Sequence, residues 1–409
     1  MTADQAGEIP VQPPIAPQAN RLCPLLRPLA LKAIVSLAML AGMLLSRNLW
    51  YPNRAYPLAP VWDGLPAIPS WLGHAWFCVL LGLLSAAAVL PQPRLVLWLF
   101  VVLAALLAMW DQTRWQPWVY QYLFMLLALS FFPWSSPEGS ERRQNSVLNS
   151  CRIVIAGTYL WSGVQKCNFS FATTVFPWLI EPMVPPAARP FAQNGALLIP
   201  VAETAMGIGL LWPRFRTISI LLVVGMHTAV LCCLGPFGHN WNSVVWPWNV
   251  ALVLITIVLF GKTSDVGVLA IVWPGRCPLH WLALLLFGVM PAFNFNERWD
   301  AYLSASLYSG NTIDARVAVT QEGYLSLPPE IRRWMVETTS GRFELDSFNW
   351  AMDELNVPEY PAERVYRKIA ASIAARINPA DLELVIQHQP HWLTGKREIT
   401  VIRGDQLGK

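Results

Sequence analysis

Long apolar runs, nearly free of charge, constrain this chain more than any other feature. They lie near 28–46, 72–90, 94–110, 117–134, 148–165, 192–212, 217–235, 243–261 and 278–294. A helix needs about 20 apolar residues to cross a bilayer, and most of these runs approach that length. Backbone groups in hydrocarbon must be satisfied internally, so such runs are expected to be helices. Asn149, Arg152 and Ser162 interrupt the run at 148–165. Residues 171–187 are apolar but broken by Pro177, Pro182, Pro185 and Pro186, and they read as a re-entrant or interfacial segment. Residues 264–275 are too short to span.

Charge divides the chain. Only 13% of residues are charged and 55% are hydrophobic; soluble domains carry about twice that charged fraction. Of the 54 charged residues (29 basic plus 25 acidic), 29 follow position 295. Three parts result: a polar, proline-rich tail over 1–27, a transmembrane domain over 28–295 and a soluble domain over 296–409. The predicted fold is a polytopic α-helical membrane bundle of about eight to nine spans with a small C-terminal extracytoplasmic α+β domain. Asp4 and Glu8 in the tail argue against a signal peptide.

Cations set the expected orientation. With the N-terminus inside, inner loops hold Arg21, Arg27, Lys32, Arg94, Arg142, Arg143, Arg214, Arg216, Lys262 and Arg276, while the outer loop at 236–242 has no Lys or Arg. The expected location is a bacterial inner membrane, with a cytoplasmic N-terminus and an extracytoplasmic C-terminal domain. The net +4 is +7 up to residue 295 (16 basic, 9 acidic) and −3 beyond it (13 basic, 16 acidic), a topology signal rather than a sign of nucleic-acid binding. The 21 Trp, Trp50, Trp110 and Trp246 among them, suit an aromatic belt at the headgroups, with a minority free to line a pocket. The seven Cys, at 23, 78, 151, 167, 232, 233 and 277, lack zinc spacing, so no metal is expected.

Polar groups inside apolar sequence mark candidate sites. Asp111, Arg114, Gln116 and Tyr120 join two runs, either as a capped hairpin with an Asp111–Arg114 pair or as a pocket rim. Gln121 lies just inside the span and needs a partner. Arg152, Tyr159 and Lys166 recur every seven residues, roughly on one helix face, and Gly163 leaves room for a close neighbour. Lys166 either snorkels to the interface or, partly dehydrated, becomes a base. Glu203 and His227 lie deep in consecutive runs, as a clamp between helices or as functional groups; Glu203 has Lys166, His227 and Arg152 as candidate partners. His239, Asn240 and Asn242 belong to the turn Gly235–Ser243 or to a pocket mouth.

The C-terminal domain reads as strands at 313–319, 382–388 and 398–403 and helices at 329–338, 346–355 and 361–377. No catalytic arrangement is visible in it; capping the membrane mouth or docking a partner protein is the expected role.

Two stretches, Asp111–Tyr122 and Tyr159–Lys166, resemble the horizontally-transferred-transmembrane domain found in vitamin K-dependent gamma-carboxylase, over about 28–295. The resemblance implies that Lys166 is the base acting on a reduced quinone, vitamin K or menaquinol-like, whose reaction with oxygen drives carboxylation. Where that family has a functional histidine this sequence has Trp118, and its large propeptide-binding region is absent or much reduced.

The expected function is thus a membrane enzyme acting on a quinol or similar lipophilic substrate. Lys166 is the base, and Glu203, Asp111 and His227 complete the catalytic set. Arg114, Trp118, Tyr120, Arg152, Tyr159, His239 and Asn242 bind the cofactor. Membrane lipids and the quinol-like molecule are the expected partners. The alternative is a non-enzymatic membrane subunit or scaffold that docks a partner through the C-terminal domain. A transporter ranks third, without an inverted repeat to support it.

Overall fold

A computed structural model describes residues 19–135, 140–261, 266–273, 275 and 277–407, with side chains from Leu25 onward. Residues 1–18 of the expected tail, Lys262, Arg276 and the side chains of Arg21 and Cys23 lie outside the described residues.

The body is helical. Its main helices are α1 (Ala19–Leu45), α2 (Ser70–Val89), α3 (Arg94–Met109), α4 (Pro117–Ser130), α5 (Glu141–Lys166), α6 (Leu198–Leu211), α7 (Arg216–Leu234) and α8 (Val245–Phe260). The last, α9 (Pro278–Asn296), passes from α-helix through a π-helical stretch to a 3-10 end. Large apolar side chains face outward along these helices, among them Leu37, Val79, Leu99, Leu221 and Leu254. An exterior of that kind suits lipid, and this is a membrane protein by its apolar helices.

The span count is lower than the sequence predicts. Among the described residues, α1 from Leu25, α2, α7 and α9 are long and apolar enough to cross. The bent pair Pro186–Asn194 and Leu198–Leu211, with a 53° break, would make five. The runs at 94–110, 117–134, 192–212 and 243–261 yield helices of 16, 14, 14 and 16 residues, short of a bilayer's thickness. α5 has 26 residues, but it begins Glu141-Arg142-Arg143 and carries Arg152 and Lys166. Residues 171–187 form a π-helical turn (Phe171–Val175), a short α-helix (Phe176–Ile180) and a 3-10 turn from Pro186.

Cations gather at the bundle end remote from the C-terminal domain. Arg152 Nε donates to Leu259 O at 3.0 Å, Arg216 Nη2 to Val266 O at 3.0 Å, Arg94 Nη2 to Phe132 O at 3.3 Å, and Lys32 Nζ to Leu90 O. The carbonyls of Leu259, Phe132 and Leu90 lie at or just past helix C-termini, where free acceptors attract positive charge.

The C-terminal domain is an antiparallel sheet of order β2-β3-β1-β4-β5: β1 (Asp314–Val319), β2 (Met335–Glu337), β3 (Phe343–Leu345), β4 (Leu382–Gln387) and β5 (Ile399–Arg403). Alternation carries β4, whose Leu382, Leu384 and Ile386 are buried. α10 (Ser347–Leu355) starts at Asp346, whose carboxylate accepts the Asn349 N–H at 3.1 Å, and stops at Asn356, φ +55°. α11 (Glu363–Ala374) buries Val365, Ile369 and Ile373. The helix expected over 329–338 is corrected: only Pro329–Arg332 is helical, because Met335–Glu337 pairs with Phe343–Leu345.

This domain grips one end of the bundle. The Glu354 carboxylate accepts the Ala55 N–H at 2.6 Å and the Tyr56 N–H at 3.0 Å, while Asn48 Nδ2 donates to Glu354 O at 2.8 Å. Gln116 Nε2 donates to Pro358 O at 3.2 Å.

Candidate functional site

The site begins where α5 and α6 cross backbone to backbone. A Cβ on Gly163 would lie 2.5 Å from Pro200 O, and one on Gly207 would lie 2.5 Å from Leu160 N. Side chains there would hold the helices apart, so glycine sets the approach. At this distance Lys166 from α5 meets Glu203 from α6. The ammonium lies 2.9 and 3.2 Å from the two carboxylate oxygens and also donates to Ser162 Oγ. The side chains are only 14% and 8% exposed, too enclosed for a snorkelling lysine.

Two further helices add a second polar pair. His227 of α7 lies with Nε2 2.8 Å from the Tyr159 hydroxyl and Nδ1 2.6 Å from Asn249 Oδ1 of α8. Asn249 Nδ2 donates to Val245 O at 2.7 Å, which orients its oxygen toward the ring. Nδ1 faces that oxygen as a donor, and Nε2 shares a hydrogen bond with the Tyr159 hydroxyl. A cavity of about 130 Å³ opens beside both pairs. Lys166, Glu203, Tyr159 and His227 form its polar side; Phe171, Leu179, Ile199, Met226 and Leu252 form much of the rest. One charged pair, an imidazole and a phenol thus face an oily pocket.

The other expected site residues lie elsewhere. Asp111 pairs with Arg54 at 2.6 Å, not with Arg114 as the spacing suggests. The Arg114 guanidinium is turned to Leu49 O, Trp50 O and Leu107 O, anchoring the helix ends that face the C-terminal domain. Trp118 packs against Gly42 and meets Trp50 edge-on, centroids 6.5 Å apart. Tyr120 stacks on Phe287 at 4.8 Å with its hydroxyl buried and unpartnered. Gln121 finds partners in Thr158 and Trp248. Arg152 lies near the middle of α5, fourteen residues before Lys166, bonded to Leu259 O and Asn149, so Glu203 does not reach it. His239 stacks on Trp178 at 4.5 Å and bonds its carbonyl, and Asn242 donates to the Tyr308 hydroxyl at 2.8 Å.

Sequence reasoning missed Ser162, Asn249, Arg54 and Tyr308. Ser162 stands four residues before Lys166 and Asn249 is a lone amide in an apolar run, so both had a signal. Arg54 and Tyr308 reach their partners only through the fold. Among the described residues, no group of three or more His, Cys, Asp or Glu side chains is placed to hold a metal ion.

Comparison with known proteins corrects the family expected from the sequence. No curated protein and no solved structure matches the chain. The protein-family model that matches is that of the methylamine utilisation protein MauE, over residues 144–236, and not the horizontally-transferred-transmembrane or carboxylase family. The chain is therefore similar to MauE over the stretch from α5 to α7, the stretch that carries Tyr159, Lys166, Glu203 and His227.

Proposed function

We propose that the cavity between α5, α6, α7 and α8 binds a lipophilic ring compound bearing an ionisable oxygen, of the quinol type, and exchanges a proton with it. The Lys166–Glu203 ion pair against an apolar cavity supports this reading. Lys166 donates hydrogen bonds to both Glu203 oxygens. The pair therefore acts as a unit: the Glu203 carboxylate accepts the substrate proton, and the Lys166 charge holds the oxyanion left behind. The Tyr159–His227–Asn249 chain orients the far side of the ring.

The test uses protein purified gently from its native membrane, with retained lipophilic molecules measured by mass spectrometry. Lys166→Met combined with Glu203→Gln removes both charges with little change of shape. Replacing a buried pair by neutral groups is often tolerated by a fold. The double variant is expected to stay folded and to retain at least about tenfold less of the ring compound. Equal retention, or none by the wild type, would overturn the reading.

The cation-rich end supports a bacterial inner-membrane orientation with the N-terminus and that end cytoplasmic and the C-terminal domain outside. One observation favours a second reading, that of a docking subunit. β5 is an open sheet edge with Ile399 and Val401 more than half exposed, a template for strand addition. Ile399→Asp with Val401→Asp would then release a co-purifying partner; a partner that stays bound would dismiss that role.

A further inference from the structure

A second cavity, of about 770 Å³, lies between the C-terminal domain and the adjacent end of the bundle. Its walls include Trp178, Trp241, Tyr308 and Phe348. The rings form a continuous surface: Trp178 meets Trp241 edge-on at 6.5 Å, and Trp241 stacks with Phe348 at 6.1 Å. Glu359 lies in the same wall and is 7% exposed. Its two oxygens accept from hydroxyls only, Ser347 at 2.6 Å and Tyr366 at 3.3 Å.

A buried carboxylate ordinarily has a cationic partner. Two further carboxylates, Asp314 and Asp346, act on Glu359 instead. Arg397 also lines the cavity, but its guanidinium is committed to the carbonyls of Thr312 and His388, at 2.8 and 3.0 Å. Burial pushes the Glu359 carboxyl up to about 8, so it is largely protonated at neutral pH until a positive charge arrives. Aromatic faces attract organic cations for the same electrostatic reason that a carboxylate does.

We infer that this cleft binds a small organic ammonium ion, its charge facing Glu359 and its alkyl groups against Trp178 and Trp241. The inference is independent of the intramembrane pair, since Glu359 and Lys166 line different cavities. Such an ion could arrive free or as the headgroup of a lipid, because the cleft sits at the bundle mouth.

Choline is the probe, titrated calorimetrically into the full chain in maltoside micelles at pH 7. A saturable heat is expected, with proton release read from its dependence on buffer ionisation enthalpy. The neutral isostere 3,3-dimethylbutan-1-ol should bind at least about tenfold more weakly. Glu359→Gln should weaken choline about tenfold and abolish the proton release. Trp178→Leu, which leaves the carboxyl in place, should weaken binding while keeping that release. Competition by dodecylphosphocholine would assign the site to a lipid headgroup, and its absence to a free ammonium compound; both support the site. No heat with choline, equal binding of the neutral isostere, or unchanged affinity in both variants would overturn it.

Discussion

Asp111→Ala is expected to destabilise the protein by about 3–5 kcal/mol, the cost of breaking a buried ion pair from one side. Asp111 is fully buried and its carboxylate is saturated. It accepts from Arg54 at 2.6 Å, from the Thr113 hydroxyl at 2.7 Å, and from the backbone N–H groups of Ala59 and Thr113 at 3.2 Å. Arg54 itself also holds Leu49 O and Tyr56 O, and the buried Arg114 holds Leu49 O as well. Removing the carboxylate leaves these guanidinium groups buried without their counter-charge. Asp111→Asn, which keeps an acceptor but no charge, should fall between. Denaturation of purified protein in micelles, followed by helical signal, checks this. An alanine variant as stable as wild type would show that the three side chains do not act together.

Gly207→Leu is expected to cost at least the upper part of the roughly 1–3 kcal/mol range for overpacking. The atoms in the way are backbone: Leu160 N at 2.5 Å and Ala156 O at 2.7 Å from the position of a Cβ. They cannot turn aside as a side chain would, so α6 must move off α5. Glu203 then leaves Lys166, and ligand retention should fall with stability. Gly225→Ala is the matched control. Nothing lies within 4 Å of its Cβ position, and it sits inside α7. It should raise helix stability by up to about 1 kcal/mol. If both substitutions behaved alike, close packing of α5 on α6 would not be what positions the ion pair.

Legibility followed the range of the interactions. The strands at 314–319, 382–387 and 399–403 and the amphipathic α11 were readable, because alternation and helical periodicity are local. The strand Met335–Glu337 was not, since only pairing with Phe343–Leu345 distinguishes it from the end of a helix. Lys166, Glu203 and His227 stood out because ionisable groups are rare in such apolar sequence. The partner of Asp111 did not: Arg54 is 57 positions away, while Arg114 is three. Glu359 was hidden inside Asn356-Val-Pro-Glu-Tyr-Pro361, which reads as a chain break. Crossing number was overcounted because hydropathy marks an apolar run but not where its helix starts and stops.

Glu354 fastens α10 onto the loop at Asn48–Tyr56, although nearly three hundred residues separate the two in the chain. A ribosome makes the loop long before it makes the clasp. The backbone N–H groups of Ala55 and Tyr56 must therefore wait, solvated or guarded by a chaperone, until the final quarter of the polypeptide emerges. Any nascent chain released before that point leaves those two N–H groups without their carboxylate.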